Sequence, residues 1–273
     1  MIIRIIGISL FMLLFNLVKA DWPVGKGRTT IITSYIFLKA TSNYNNSWKK
    51  VKFDENNSFL TQIATFSIMH GIDRTTDLFL NLPYINQKYV NQTGKLYGSG
   101  VGDISMGISK HFSSINNHRH FTLKGLFTIP MYSLDTNNTL GLGYGSRAFS
   151  IEANYSLSVG KAGYFSGQVN YANYFDNQDR PQQLTYTINY GRRINFFNSM
   201  SFSFSHQESN SPNKGFDPNI FTNTSYKSGR LSASYGRRIT RTMLVLLQAS
   251  TIIYGQNTVN GVSFGTSLIF RLP

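Results

Sequence analysis

The stretch from Gln183 to His206, QLTYTINYGRRINFFNSMSFSFSH, alternates with a period of two on both sides of a short basic turn. Leu184, Tyr186, Ile188 and Tyr190 fall on one side of an extended chain, with Thr185, Thr187 and Asn189 on the other. After Gly191, Arg192 and Arg193, the residues Met200, Phe202 and Phe204 oppose Ser201, Ser203 and Ser205. Successive side chains of a strand point to opposite faces, so this pattern predicts an antiparallel hairpin. Its polar face is what constrains the fold. A wet face on a soluble sheet shows Lys, Glu and Thr, whereas here it is Ser, Thr, Asn, Gln and Gly, with the charges gathered in turns. Small uncharged groups backed by large apolar ones suit a barrel turned inside out, greasy toward lipid and polar toward a lumen. A soluble sandwich or lipocalin-like barrel is the competing reading.

The first twenty residues read as a signal peptide. Arg4 precedes an apolar run from Ile5 to Leu17, and Val18–Lys19–Ala20 has small residues where a cleavage site needs them. That run is short for a spanning helix, which takes about 20 residues, and the longest apolar run after it is Met243–Leu247. The expected organisation is a signal peptide at 1–20 and one barrel domain at 21–273. No cysteine occurs, so disulfides, thiolate metal sites and Cys nucleophiles are all excluded. A closed ring of strand hydrogen bonds would then have to hold an exported chain together. The net charge of +14 invites a nucleic-acid reading, but the Lys and Arg residues form neither a stripe nor a known motif. Anionic headgroups, or anionic solutes in a pore, are the better partners.

About twelve such strands follow one another, giving an all-β, antiparallel up-and-down transmembrane β-barrel with short periplasmic turns and longer extracellular loops. The strands are expected near Thr29–Lys39, Leu60–His70, Asp77–Tyr84, Asp103–Phe112, Phe121–Ile129, Phe149–Val159, Phe165–Phe175, the two arms of the opening hairpin, Leu231–Tyr235, Met243–Tyr254 and Val262–Leu272. Ala40–Asn57, Ile85–Gly100, Met131–Arg147 and Glu208–Ser225 read as long polar loops, and Gly255–Asn260 as a connection. Pro130 should end its strand, because it cannot donate to the ladder. Tyr-Gly-Arg-Arg-Ile occurs twice, at Tyr190–Ile194 and Tyr235–Ile239. Both copies are expected at the periplasmic rim, with tyrosines in an aromatic girdle and arginines at headgroups.

The segment from Phe66 to Phe112 carries His70, Gly71, Asp73 and Arg74 in one turn, then Leu82–Pro83–Tyr84, then Gly100, Gly102 and Asp103. It resembles the outer-membrane proteins of the phenol-degradation (MetA-pathway) transporter group, distant relatives of the long-chain fatty-acid channels. Their turn has tyrosine where this chain has His70, and outer-membrane barrels usually end in an aromatic residue rather than Arg271–Leu272–Pro273. The resemblance implies passive uptake of small, often hydrophobic or aromatic, molecules across the outer membrane of a Gram-negative bacterium. The partners would be outer-membrane lipid and lipopolysaccharide, the barrel-assembly machinery and a small-molecule solute.

Chemistry in the sequence is sparse. His118 and His120 lie together but lack carboxylate or thiolate neighbours, so no metal site and no cofactor is expected. An outer-membrane phospholipase would need a serine beside an outward histidine such as His206, and the positions facing it supply none. The chain is therefore not read as an enzyme. Gly100–Asp103 is no phosphate loop, because no helix pattern follows it. By alternation the lumen would be lined by Asn81, Asp103, Lys124, Glu152, Asn154, Gln168, Asn170, Asn189, Arg230 and Arg271. These groups either define a selective path or pair across the lumen and plug it. The alternative to a channel is a closed structural or adhesive barrel with its Asn-rich loops as the contact surface.

Overall fold

The computed structural model describes residues 22–54, 57–92, 94–114, 118–132, 140–160, 162–176, 179–215, 218–219 and 222–273. The signal-peptide reading therefore lies outside the described residues. Fourteen β elements follow in order: β1 Thr29–Tyr44, β2 Lys50–Lys52, β3 Ser58–Gly71, β4 Thr76–Asn91, β5 Gly94–Val101, β6 Asp103–Ser113, β7 Arg119–Pro130, β8 Ala148–Val159, β9 Gly163–Tyr174, β10 Gln182–Arg193, β11 Asn198–Asn210, β12 Tyr226–Arg238, β13 Met243–Gln256 and β14 Thr258–Leu272. β2 is a short flap on the upper end of β1. β5 and β6 both pair with β4 and make one stave broken at Gly102. Twelve staves remain, each antiparallel to the next, and β14 pairs back onto β1 from Thr29↔Leu272 to Tyr44↔Thr258. The barrel is closed, and no helix occurs among the described residues.

Alternation sets the two surfaces. Leu78, Leu80, Leu82, Met106, Ile108, Leu123, Ile151, Ile188, Leu231 and Phe264 are exposed on the outer wall, while Thr61, Ser67, Ser109, Thr122, Ser150, Ser156, Ser166, Ser232 and Ser263 are buried on the inner one. A continuous apolar belt of this kind is unfavourable in water and favourable in hydrocarbon. The ring of twelve staves closes on itself, as a hydrocarbon environment requires, and β2 and β5 stand on its loop end. The start of β1, the end of β14 and the turns after β3, β6, β8, β10 and β12 lie at one end of the barrel, which is the short-turn end. The connections after β1, β7, β9 and β11 lie at the other.

Three expected loops are shorter than their sequences imply. Ile85–Gly100 is a hairpin, because β4 runs on to Asn91 and β5 pairs with it. Its outward residues, Asn86 and Lys88, are polar since this hairpin stands above the apolar belt, so the alternation that marks a strand in lipid is missing. β1 likewise continues to Tyr44, and Gly255–Asn260 is all strand apart from Asn257, which turns the chain alone at φ 53°. Pro130 is the last residue of β7, as its missing N–H demands. The weak alternation of β1 also has a cause. Its inward Leu38 and Ala40 join Phe59, Leu140 and Val259 in an apolar cluster inside the loop end.

At the short-turn end, the segment before β1 crosses the mouth. The Gly27 N–H donates to the Gly71 carbonyl at 2.8 Å, the Gly71 N–H donates to the Arg28 carbonyl at 3.0 Å, the Val24 N–H donates to Asp77 Oδ2 at 3.0 Å, and the Trp22 and His120 ring centres lie 5.5 Å apart. The turn after β3 is built on Asp73. Its Oδ1 accepts from the Thr75 N–H at 2.6 Å and the Thr75 hydroxyl at 2.9 Å, and its Oδ2 accepts from the Thr76 hydroxyl at 2.8 Å. These bonds favour the ionised form and, led by the Thr75 N–H, hold the carboxyl down at about 2 against an ordinary 3.8. A depressed value stabilises the folded turn above the unfolded value, and that contribution disappears as pH falls through about 2. Carboxyl NMR in micelles should thus find Asp73 still ionised at pH 3, where ordinary aspartates are protonated.

The belt gives a second prediction. Ile188→Arg on the outer face of β10 should lower unfolding stability in lipid vesicles by about 2–4 kcal/mol. Thr187→Arg, one residue on and facing inward, should cost a fraction of that in the same chemical-unfolding titration. Equal losses would mean that the wall faces the other way.

Candidate functional site

Within the barrel, the polar groups sort into three levels. Nearest the short turns, His111 accepts or donates on both ring nitrogens: Nε2 lies 2.9 Å from Asp77 Oδ2 and 3.2 Å from the Ser109 hydroxyl, and Nδ1 lies 2.9 Å from the Thr122 hydroxyl. His120 pairs with the Ser113 hydroxyl at 2.8 Å. All of these but the exposed Ser113 are buried near the N-terminal segment, whose Val24 N–H shares the Asp77 carboxylate. The His118–His120 pair does not act together: His120 faces inward and is buried, whereas His118 is an exposed turn residue. Among the described residues, no group of three acidic, His or Cys side chains could hold a metal.

The middle level is a patch on β7, β8 and β9. Cross-strand register aligns Lys124 with Glu152 and Asn170, and Thr122 with Asn154 and Gln168. Lys124 Nζ donates to Glu152 Oε1 at 2.8 Å and lies 5.7 Å from the centre of the Phe79 ring. A partly buried pair like this is held because separating it would leave a lone charge in the wall. Ser156 donates to Asn154 at 2.9 Å, and Asn189 donates to the Ser166 hydroxyl at 3.3 Å. On the nearby strands β3 and β4, Ser67 donates to Asn81 at 2.7 Å.

The loop-end level is a lid over a chamber. Residues 140–147, between β7 and β8, fold inward and are tied at every side. The Leu140 N–H donates to the Tyr97 carbonyl at 3.0 Å, and Gln87 and Asn219 both donate to the Gly141 carbonyl, at 3.0 and 2.7 Å. The Tyr144 hydroxyl donates to the Asn223 carbonyl at 2.7 Å and accepts from Gln183 at 2.8 Å. Gly98, just before the Gly-x-Gly-Asp stretch, and Gly102 within it now acquire a physical reason. A Cβ at Gly98 would collide with the Leu140 carbonyl, and one at Gly102 would stand 2.7 Å from Ile85 Cδ1. The backbone of β5 is bare so that the lid can lie against it. Gly143 in turn packs on Asp103 and the Tyr132 hydroxyl, which is hydrogen-bonded to Asp103 and accepts from the Gly145 N–H at 2.9 Å.

Below the lid is a cavity of about 300 Å³ whose lining includes Asp103, Tyr144, Tyr174, Gln183, Gln207, Tyr226, Arg230 and Ile252. Tyr144 and Tyr174 meet edge to face at 4.6 Å. Burial pushes the Tyr144 hydroxyl up to about 12 and raises Tyr132 further, with the neighbouring Asp103 charge adding to it. These two phenols stay protonated at neutral pH and serve as donors. Arg230 forms no salt bridge among the described residues. One Asp103 oxygen is buried without a hydrogen-bond partner. The chamber therefore offers aromatic surface, three amide side chains, one guanidinium and one carboxyl oxygen free to accept.

Of the residues expected in the lumen, Asp103 and Arg230 meet in this chamber. Lys124, Glu152, Asn154, Gln168 and Asn170 form the middle patch, and Asn81 and Asn189 bond to neighbouring strands. Arg271 belongs to none of these groups. It sits exposed near the end of β14, with its N–H on the Thr242 carbonyl at 2.8 Å. Sequence reasoning missed Tyr144, Tyr174 and Tyr226, since an aromatic in an inside-out barrel is assumed to face lipid. Tyr174 falls on the same parity as Gln168 and Asn170, and that parity was the available signal. His206 faces outward and is held by the Tyr254 hydroxyl at 2.9 Å; its cross-strand partners are Tyr186 and Gly229. No serine stands beside it.

No family model matches the sequence, and no curated protein matches it by sequence. Among solved structures, an outer-membrane channel from Pseudomonas putida F1 aligns with TM-score 0.77 and 14% identity, over 94% of this chain and 100% of that one. The NanC porin aligns at 0.53 and 8%, over 89% and 98%. A deltaS2 mutant of the TodX monoaromatic hydrocarbon channel aligns at 0.51 and 8%, over 91% and 90%. Identities this low speak to fold: the chain has the closed antiparallel barrel that these proteins share.

The packing of the lid makes a prediction of its own. Gly143→Val has no room beside Tyr132 and Asp103 and should free the lid while leaving the wall intact. Hydrogen exchange should then lose protection across 140–147 and keep it in β8 and β9.

Proposed function

We propose that the protein is an outer-membrane channel for passive uptake of small solutes, and that its path runs through the chamber beneath the lid. The observation that carries this reading is the wall itself, apolar outside and polar within, enclosing a hollow lined by groups that can bind a solute. A barrel meant only to be solid would fill that space with side chains. The chamber's aromatic faces and donors favour a small ring-bearing molecule, and Arg230 favours one with an anionic or hydrogen-bond-accepting group. The same reading assigns the chain to the outer membrane of a Gram-negative bacterium, with lipopolysaccharide around its loop end and the assembly machinery as its inserting partner. Likeness to channels of the same architecture supports it.

The adhesive alternative relied on Asn-rich loops. Asn219, Asn223, Asn257 and Asn260 are buried, and their amides tie loops to one another. That use leaves them nothing to present to a partner, so the channel reading is preferred.

Purified protein in planar bilayers should pass current in discrete small steps. Arg230→Gln should move the reversal potential in a salt gradient toward cations, because the charge removed lies in the chamber. A barrel that inserts but carries no current and admits no small solute in liposome swelling would sink the proposal.

A further inference from the structure

The two Tyr-Gly-Arg-Arg-Ile segments are far apart in sequence but adjacent in space. They close β10 and β12, which flank β11, and the Arg238 N–H donates to the Phe197 carbonyl at 2.8 Å, joining one turn to the other. On both strands the first arginine, Arg192 or Arg237, continues the outward face of its tyrosine. Arg192 stands opposite Met200 and Arg237 opposite Asn198, so the two flank a single strand, about 12 Å apart for two strand spacings and a two-residue offset. Tyr190 and Tyr235 lie one outward position deeper along the wall, with Met200 and Phe202 between them. Tyr235 is fixed by a 2.7 Å hydrogen bond to Asn198.

The surroundings define the level in the membrane. The turn between the arms, Ile194–Asn195–Phe196–Phe197, is exposed and apolar, with the two phenylalanine rings edge to face at 5.1 Å and the Arg238 guanidinium 5.3 Å from the centre of Phe196. Apolar turn residues under the belt belong in the interface between tails and headgroups, where aromatics gather. The arginines beside them then stand at headgroup depth. Neither segment contains a carboxylate, and in the described turns at this end the one acidic residue is Asp73, already satisfied by its threonines. The loop end differs, for there Arg147 pairs with Asp176 and Lys227 with Glu208.

We propose that the paired segments form a binding site for a two-phosphate anionic phospholipid of the periplasmic leaflet, the cardiolipin class. Arg192 and Arg237 take one phosphate each, the tyrosine hydroxyls meet the glycerol level, and Met200 and Phe202 receive acyl chains. Guanidinium is suited to this role, since it binds phosphate through two parallel N–H bonds. Two arginines astride one strand select a headgroup in which one glycerol links two phosphates over a lipid with a single phosphate. The inference rests on the bilayer-spanning barrel and is independent of any transport.

The full-length mature protein, folded in detergent micelles, would be titrated separately with tetraoleoyl cardiolipin, dioleoyl phosphatidylglycerol and dioleoyl phosphatidylcholine. Retained lipid would be read by native mass spectrometry. One cardiolipin per barrel is expected, at least ten-fold tighter than phosphatidylglycerol, with phosphatidylcholine not retained. Arg192→Gln with Arg237→Gln should abolish that preference. Arg74→Gln with Arg119→Gln removes the same charge elsewhere on this end and should keep it. Equal loss in both double variants, or equal affinity for the two anionic lipids in the native protein, would reduce the site to diffuse charge and overturn the proposal. Retention of none of the three lipids would overturn it in favour of an acidic protein partner. Should the first double variant fail to fold, shown by loss of heat-shifted gel mobility, the native protein's own preference between the two anionic lipids still decides.

Discussion

Everything in this molecule depends on the ladder between its first and last strands. A strand in hydrocarbon has no water to satisfy its N–H and C=O groups, and each unpaired group there costs several kcal/mol. Pairing β14 with β1 removes the last two edges together, over the full length of both strands. The register of that seam also fixes the phase of the alternation all the way round. A slip by one residue at any strand would turn its apolar row inward and its serines toward lipid.

Once the seam is closed, the interior becomes a problem of polar satisfaction rather than of hydrophobic packing. Small hydroxyl residues solve it cheaply across neighbouring strands, as Ser201 with Ser234 at 2.5 Å and Ser250 with Ser263 at 2.6 Å do. Larger groups need named partners, and each level finds them differently: His111 with Asp77, Lys124 with Glu152, and the lid with the amides of Gln87, Gln183 and Asn219. Arg230, and the Asp103 oxygen that has no hydrogen-bond partner, stand apart from this economy because they line the hollow. That difference is why the hollow, and not the patch on β7–β9, is taken as the place where a solute is handled.

How much of this could be read from the residues depended on where each strand meets lipid. Leu78 to Tyr84, Phe149 to Val159 and the hairpin around Arg192 sit in the belt, and there the period of two named both the strand and its orientation. Above the belt the outward residues are as polar as the inward ones, so the β4–β5 hairpin looked like a loop although its backbone pairs throughout. The lining residues followed from parity alone, which is why Lys124, Glu152 and Asn170 fell together. The lid was illegible for a different reason. Its residues bind through backbone carbonyls and through space left by glycines, and neither leaves a periodic trace. Gly98 and Gly102 resemble ordinary turn formers until Leu140 and Ile85 are seen against them.

The lid's apolar seat has a bearing on how the barrel comes into being. Leu140 rests on Leu38 and Ala40 of β1, Phe59 of β3 and Val259 of β14, residues drawn from the two extremities of the polypeptide. That seat does not exist until the cylinder has been zipped shut. Part of the constriction's support is thus completed only where β14 meets β1.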